Sequence, residues 1–445
     1  MNEASVAVVG GGLAGCECAL RLADAGLPVV LFEQKPEYRS PAHVSDKLAE
    51  LVCSNSLRSD DIASGIGLLK AELRSLGSAF MACADATRVP AGKALAVDRE
   101  AFADAMTRRI LEHPRITLRR RRVDSLDDPE LADMETVVIA AGPVASEGLS
   151  ASIAEAVGAE HCYFYDAIAP IVWTHSLDMN IVFRASRYGQ GKGEEGGDYL
   201  NCPMNRDEYM AFYEALLGAE KVAAHGFEKE RHFEGCMPIE ALAERGPKTL
   251  TFGPLKPVGF EDPRTGRRPW AILQLRAENA NADACNLVGC QTKLTYAEQG
   301  RIFRMVPGLE KAEFARFGSM HRNTYVNAPH ALTEDLRLVA RPRFLLAGQI
   351  TGVEGYVESA ACGLWAALLL AARAQGRELP PPPPTTALGA LLQHLRTPVK
   401  RFQPSNAHFG LMPELTERAK KQDRKALYSA RAQADFARWK ATHLP

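Results

Sequence analysis

A glycine loop set between a strand-like run and a helix-like run constrains this chain more than any other feature. Residues 6–9 are short, apolar and mostly β-branched, and they lead directly into Gly10, Gly11, Gly12, Leu13, Ala14 and Gly15. Glycines at 10, 12 and 15 fit the G-x-G-x-x-G spacing. The first permits a tight turn, the second lets backbone approach a pyrophosphate, and the third lets helix and strand pack closely. An Ala/Leu-rich helical pattern follows through Leu22 and stops at Gly26, and a second apolar run, 28–32, closes on Glu33. Strand, glycine turn, helix, strand and acid make the opening βαβ unit of a dinucleotide-binding fold. The helix N-terminus would face phosphates with unpaired N–H groups, and Glu33 would accept hydrogen bonds from ribose hydroxyls.

NAD, FAD and S-adenosylmethionine all use such a turn, and the discriminator lies far downstream. Residues 344–347 read as a strand that breaks at Gly348, Gln349, Gly352, Glu354 and Gly355 before an apolar helix. A late strand–turn–helix of this kind closes over a flavin in two-domain flavoproteins, and no second G-x-G-x-x-G marks a separate nicotinamide domain. FAD is the expected cofactor, with NADH or NADPH as a visiting reductant. The fold class is α/β: a Rossmann-like, glutathione-reductase-like FAD-binding domain with an inserted mixed α/β domain and a helical, basic C-terminal segment. The expected boundaries are 1–150 and 326–378 for the two parts of the FAD-binding domain, 151–325 for an inserted substrate or RNA domain, and 385–445 for the C-terminal segment.

Composition narrows the class. At 445 residues, with 24% charged and 46% hydrophobic side chains, the chain is an ordinary globular protein. Net charge is -1, but residues 385–445 carry 11 Lys and Arg against 4 Asp and Glu. A basic tail on an acidic body points toward a polyanion, and its place beyond the last flavin motif makes it separable from flavin binding on this reading. Ten cysteines without a C-x-x-C or neighbouring His cluster give neither a disulfide scaffold nor a metal site. The apolar run 359–372 falls short of the ~20 residues of a bilayer span and reads as a core helix. A reducing cytosol, with no membrane and no obligate protein partner, is the expected setting.

Several stretches taken together are similar to one family. The glycine loop, residues 52–56 around Cys53, 198–204, 233–240 around Cys236, 321–329 with His321, Arg322, Asn323 and Tyr325, and the 348–355 turn resemble the folate- and FAD-dependent tRNA uracil-5-methyltransferases, the TrmFO family. These stretches run in order through nearly the whole chain except the tail. MnmG-type tRNA-modifying flavoproteins share the loop and the 322–327 stretch, but not the two cysteine motifs. The resemblance implies methyl transfer without S-adenosylmethionine: 5,10-methylenetetrahydrofolate supplies the carbon, reduced FAD carries it, and NADH or NADPH supplies electrons. The implied product is 5-methyluridine in the tRNA T-loop. The same chemistry on ribosomal RNA, an MnmG-like action on wobble uridine, and a catalytically silent RNA-binding flavoprotein are the alternatives.

Uracil C5 is a poor nucleophile until something adds to C6, and a thiolate suits that addition. By resemblance Cys236 attacks C6, while Cys53 sits near the flavin and protects a methylene adduct or helps remove the C5 proton; the two roles could be exchanged. Cys83, Cys162, Cys285, Cys290 and Cys362 read as small buried hydrophobes. The run from Arg119 to Arg122 is either a phosphate patch or a solvated face. Arg418, Lys420, Lys421, Arg424 and Lys425 form a basic cluster suited to RNA. His321 and Arg322 are candidates for folate or RNA phosphate.

Overall fold

The structure is a computed structural model. It describes residues 6–40, 42–158, 162–189, 197–222, 237–400, 402–416, 420 and 422–444, with backbone alone at 162–166, 321 and 322. Five parallel strands form its main sheet in the order Phe344–Leu346, Thr136–Ile139, Val6–Val9, Val29–Glu33, Ile116–Arg120. Val6 lies opposite Val29 on one side and Thr136 on the other. The chain therefore steps outward from the central strand twice and then returns to its opposite side. That reversal is the switch point at which such sheets bind ligands, outside the carboxyl ends of the strands. Ala7 and Val8 are fully buried, as expected for strands covered on both faces.

Two helices cover the switch point, and bare backbone sets their approach. A Cβ on Gly15, in helix Leu13–Asp24, would lie 1.8 Å from the Gly10 carbonyl oxygen. One on Gly363, in helix Tyr356–Ala374, would lie 2.1 Å from the Ala14 oxygen. The second helix has the length and apolarity to cross a membrane, but 78% of its apolar window is buried within the protein. It is the core helix its sequence predicts.

The inserted region builds a six-stranded antiparallel sheet in the order Phe183–Ala185, Tyr199–Met204, Ala271–Ala277, Ala284–Leu287, Ile171–Trp173, Phe314–Arg316. Helix Arg206–Gly218 packs on it, opened by a capping box in which Asn205 and Glu208 each bond the other's backbone N–H. This sheet has its own apolar core, including Tyr209, Phe212 and Leu273. An antiparallel ladder between Cys162–Ala167 and Met320–Tyr325 carries the chain into and out of the insertion.

The C-terminal segment corrects an expectation. It is helical, with Ala387–Arg396 and Arg424–His443, but it is not separable from the main core. Both carboxylate oxygens of buried Glu72 accept from the N–H groups of Ala387 and Leu388 at 2.8 Å, capping the first of these helices. Burial pushes the Glu72 carboxyl up to about 8. Ser405 donates its N–H to Gly352 O at 3.1 Å and accepts from Glu354 N–H at 2.8 Å. The Phe402 ring fills the space that a side chain at Gly352 would need. Net charge concealed an apolar stripe, Tyr428, Ala432, Phe436 and Trp439, that is buried in the last helix. A chain ending at Pro384 should therefore lose its fold and any bound flavin together, as read by circular dichroism and flavin absorbance. Phe402→Ala should lower the unfolding free energy by about 3 kcal/mol in a denaturant titration.

Candidate active site

A cleft opens at the carboxyl ends of the parallel strands, lined by Gly10, Gly11, Gly12, Leu13, Ala14 and Glu33 on one side and Gly348, Gln349 and Tyr356 on the other. Gly10 has φ +110, and a Cβ there would strike the Ala140 carbonyl. Gly12 caps helix Leu13–Asp24 with no side-chain partner, in extended backbone. A Cβ on Gly12 would meet nothing within 4 Å. The cradle is thus open backbone at a helix start, whose first N–H groups have no intrahelical acceptor and suit phosphates. Gly15 is not part of the lining and serves packing instead.

Glu33 is buried and turned partly inward. Its Oε2 accepts from Gly11 N–H at 2.8 Å and its Oε1 from Lys35 N–H at 2.9 Å. A carboxylate offers about four acceptor positions, so it holds the loop with capacity left for a ribose. In the late turn, Gly348 has φ +81 and sits against Ala14. The Gln349 amide donates to Glu354 Oε2 at 2.7 Å. Gly352, Glu354 and Gly355 do not line the cleft and shape the turn from behind.

Cys53 lies between Val52, which lines the cleft, and a polar grip on both flanks. The Tyr356 hydroxyl accepts from Cys53 N–H at 2.7 Å and donates to Cys53 Sγ at 2.9 Å. Burial, with the charge of Cys53 second, pushes the Tyr356 hydroxyl well above its usual value, so it remains a donor at neutral pH. Three arginines from separate elements hold the flanking chain. Arg99, at the start of helix Arg99–Glu112, donates to Leu51 O and pairs with Glu278 at 2.6 Å. Arg276, on strand Ala271–Ala277, donates to Asn55 Oδ1 at 2.8 Å and Ser54 Oγ at 2.6 Å. Arg316 donates to Val52 O at 3.1 Å and Ala42 O at 3.0 Å. Asn55 completes the grip by donating to Val97 O and Ala277 O.

Other expected residues fall elsewhere. Cys236 lies outside the described residues, as do Arg418 and Lys421. Of His321 and Arg322 only the backbone is described, in strand Met320–Tyr325. Asn323 is buried, and Tyr325 packs in the core with its ring 6.2 Å from that of Phe402. Arg119, Arg121 and Arg122 pair with Glu130, Asp128 and Asp124, which is the solvated-face reading. Arg121 and Arg122 also reach the cleft. Cys83, Cys285, Cys290 and Cys362 are buried, and burial pushes each thiol up. Sequence reasoning missed Tyr356 and the three arginines. The one available signal was Arg276 itself, a lone charge in a strand whose only other polar side chain is Gln274.

Comparison with known proteins gives the family. The family described as "Glucose inhibited division protein A" matches residues 5–378. The methylenetetrahydrofolate–tRNA-(uracil-5-)-methyltransferase TrmFO of Nitratidesulfovibrio vulgaris is 70% identical over 437 residues, covering 98% of this chain and 92% of the relative. The TrmFO of Oleidesulfovibrio alaskensis is 65% identical, covering 98% and 97%. The chain belongs to the TrmFO family. Among solved structures, GidA of Aquifex aeolicus superposes with a TM-score of 0.69 at 17% identity, over 98% of this chain and 73% of that one, a likeness of fold. Membership of the TrmFO family agrees with the resemblance read from the motifs and with the predicted Rossmann-like α/β architecture.

The glycine loop separates two effects that one substitution class would otherwise confuse. Gly12→Val should fold normally but carry no dinucleotide, because its side chain enters only the open cradle. Gly15→Val should not fold, because its Cβ meets backbone. Flavin absorbance and a thermal melt of each purified variant check the pair.

Proposed function

We propose that this protein is the methylenetetrahydrofolate- and FAD-dependent tRNA uracil-5-methyltransferase of its cell, acting in the cytosol and forming 5-methyluridine in the tRNA T-loop with NADH or NADPH as reductant. The observation that carries the reading is Cys53, held by the Tyr356 hydroxyl at the edge of a dinucleotide cleft, in a chain 70% identical to a TrmFO over nearly its full length. The residues fit FAD: the open backbone at Gly12, the start of helix Leu13–Asp24 and Glu33 would hold its adenosine diphosphate part. Gly348, Gln349 and Tyr356 line the other side. Bound there, FAD would supply a carrier for electrons from the nicotinamide nucleotide and for the folate-derived carbon.

The chain's own residues supply the rest. Cys236, by family resemblance, adds as thiolate to uracil C6, which makes C5 nucleophilic. Cys53 takes the C5 proton once the carbon is bonded to C5, as that carbon's bond to its carrier breaks; a hydride then reaches the carbon and completes the methyl group as the sulfur of Cys236 leaves and the C5–C6 double bond reforms. Tyr356 orients Cys53 through both its N–H and its sulfur, so the base is fixed before substrate arrives. A groove between the two sheets adjoins the cleft and shares Gln34 and Arg122 with it. In that groove the rings of Tyr296, Phe317 and Phe314 stack at centroid spacings of 5.1 and 4.7 Å. Arginine and stacked aromatic rings suit unpaired RNA bases.

The test is incubation of the protein with NADPH, labelled methylenetetrahydrofolate and unmodified tRNA, followed by mapping of the label. Label at T-loop uridine supports the proposal. Label in ribosomal RNA instead, or at wobble uridine, would replace it with one of the alternatives. With 5-fluorouridine at the target, the wild-type protein should be trapped covalently, because fluorine blocks loss of the C5 proton. Cys236→Ser should abolish trapping, whereas Cys53→Ser should retain it. The reverse pattern would exchange the two roles.

A further inference from the structure

The Cys53 grip contains a charge that its own hydrogen bonds do not explain. Arg276 is 6% exposed, yet its partners are an amide oxygen and a hydroxyl. Arg316 is half-buried, and its partners are two backbone carbonyls. Neither has a carboxylate within ion-pair distance among the described residues. A buried cation left without an anion is costly, by several kcal/mol after relaxation, and native structures normally pair it. Arg99, in the same cluster, has its anion in Glu278. The two guanidinium groups both come from the inserted region; beyond ion-pair distance Arg276 feels Glu278 first and Arg316 feels Glu50, carboxylates already engaged by Arg99 and Lys35, and both arginines also interact with Cys53.

We infer that Arg276 and Arg316 are positioning residues whose missing anion is the thiolate of Cys53, so that the inserted region sets the ionisation of a cysteine carried by the dinucleotide-binding unit. This rests on the role proposed above for Cys53 as a base, and adds the groups that make it one. Ionisation releases the thiol proton to solvent, and the sulfur then accepts the Tyr356 O–H that already points at it.

Each element around the sulfur contributes to the balance. Tyr356 comes from helix Tyr356–Ala374 and Arg99 from helix Arg99–Glu112, the latter largely neutralised by Glu278. Glu50, three residues before Cys53, is matched by Lys35 at 3.2 Å. Tyr199 faces Arg276 as a neutral hydroxyl, which burial pushes above its usual value. Among the described groups named here, four cations, Arg99, Arg276, Arg316 and Lys35, face two carboxylates, Glu278 and Glu50, and an electropositive, partly exposed setting favours a thiolate. Burial pulls both guanidinium groups down, the direction that an adjacent anion would offset.

The test uses the full-length flavoprotein and needs no RNA. Iodoacetamide modification of Cys53 is followed against pH by mass spectrometry of its peptide. Thiolate absorbance in the ultraviolet, wild type minus Cys53→Ser, gives a second reading that does not require reagent access. Wild-type Cys53 should titrate at least one pH unit below the ordinary ~8.5 of a free thiol. Arg276→Met and Arg316→Met should each move the midpoint up by about one unit or more, as expected for loss of a near charge. Arg276→Lys should restore most of the shift, and Ser54→Ala, which removes only a hydrogen bond, should leave it in place. If Arg276→Met fails to fold, Arg316→Met decides. A wild-type midpoint at or above the free-thiol value, or one unmoved by Arg316→Met in folded protein, overturns the inference. Loss of tRNA methylation with an unshifted midpoint would count against it while leaving the proposed function standing.

Discussion

Three contacts between bare backbone segments set the geometry on which the rest of the structure depends. Gly10 passes under Ala140, Gly15 under the Gly10 carbonyl, and Gly363 under the Ala14 carbonyl, each so close that a Cβ would fall within 2.4 Å of an oxygen. These contacts bring the start of helix Leu13–Asp24, the end of the central strand and helix Tyr356–Ala374 to one point. Because the second helix begins at Tyr356, the same packing that closes the phosphate cradle also delivers the hydroxyl that holds Cys53. Cofactor cradle and thiol are thus tied to the same helix, the thiol through the Tyr356 hydroxyl.

The C-terminal segment extends that unit. Ser405 exchanges backbone hydrogen bonds with Gly352 and Glu354, and Ala407 donates its N–H to buried Glu358 at 2.9 Å. The late turn is therefore strapped from outside by a chain segment that follows it by about fifty residues. A turn with three glycines at positive φ, at 348, 352 and 355, loses much conformational entropy on folding. Buttressing by Phe402 and Ser405 is the physical answer to that cost.

What the sequence revealed follows from where each constraint is written. The glycine loop was legible because backbone approach and positive φ demand a residue type at a spacing, and both are local. Glu33 was legible as an acid at the end of a strand, although not as a brace for the Gly11 N–H. The strap was not legible, since 11 basic against 4 acidic residues described the surface of the tail and hid the stripe from Tyr428 to Trp439. The Cys53 grip was also hidden: Asn55 and Ala277, which it joins, lie 222 residues apart, and no local pattern links them. Function survived these gaps because two short cysteine motifs and a glycine loop carried the family resemblance.

The grip on Cys53 also shows why carbonyl and amide acceptors were suited to this place. Had Arg276 and Arg316 met carboxylates, as Arg99 meets Glu278, the segment 51–55 could be held equally firmly. The cations would then be cancelled locally, and the sulfur would lie in a nearly neutral field. Neutral acceptors hold each guanidinium in place through directed hydrogen bonds while leaving it without a carboxylate of its own within ion-pair distance among the described residues. Geometry and field are thereby supplied by the same side chains but through different properties of them. Both arginines are carried by the inserted region, and so is Glu278, which neutralises Arg99 of the dinucleotide-binding unit. The Asn55–Ala277 hydrogen bond and the Asp98 carboxylate, which accepts from Ala280 N–H at 3.0 Å, fasten the two regions together beside the thiol.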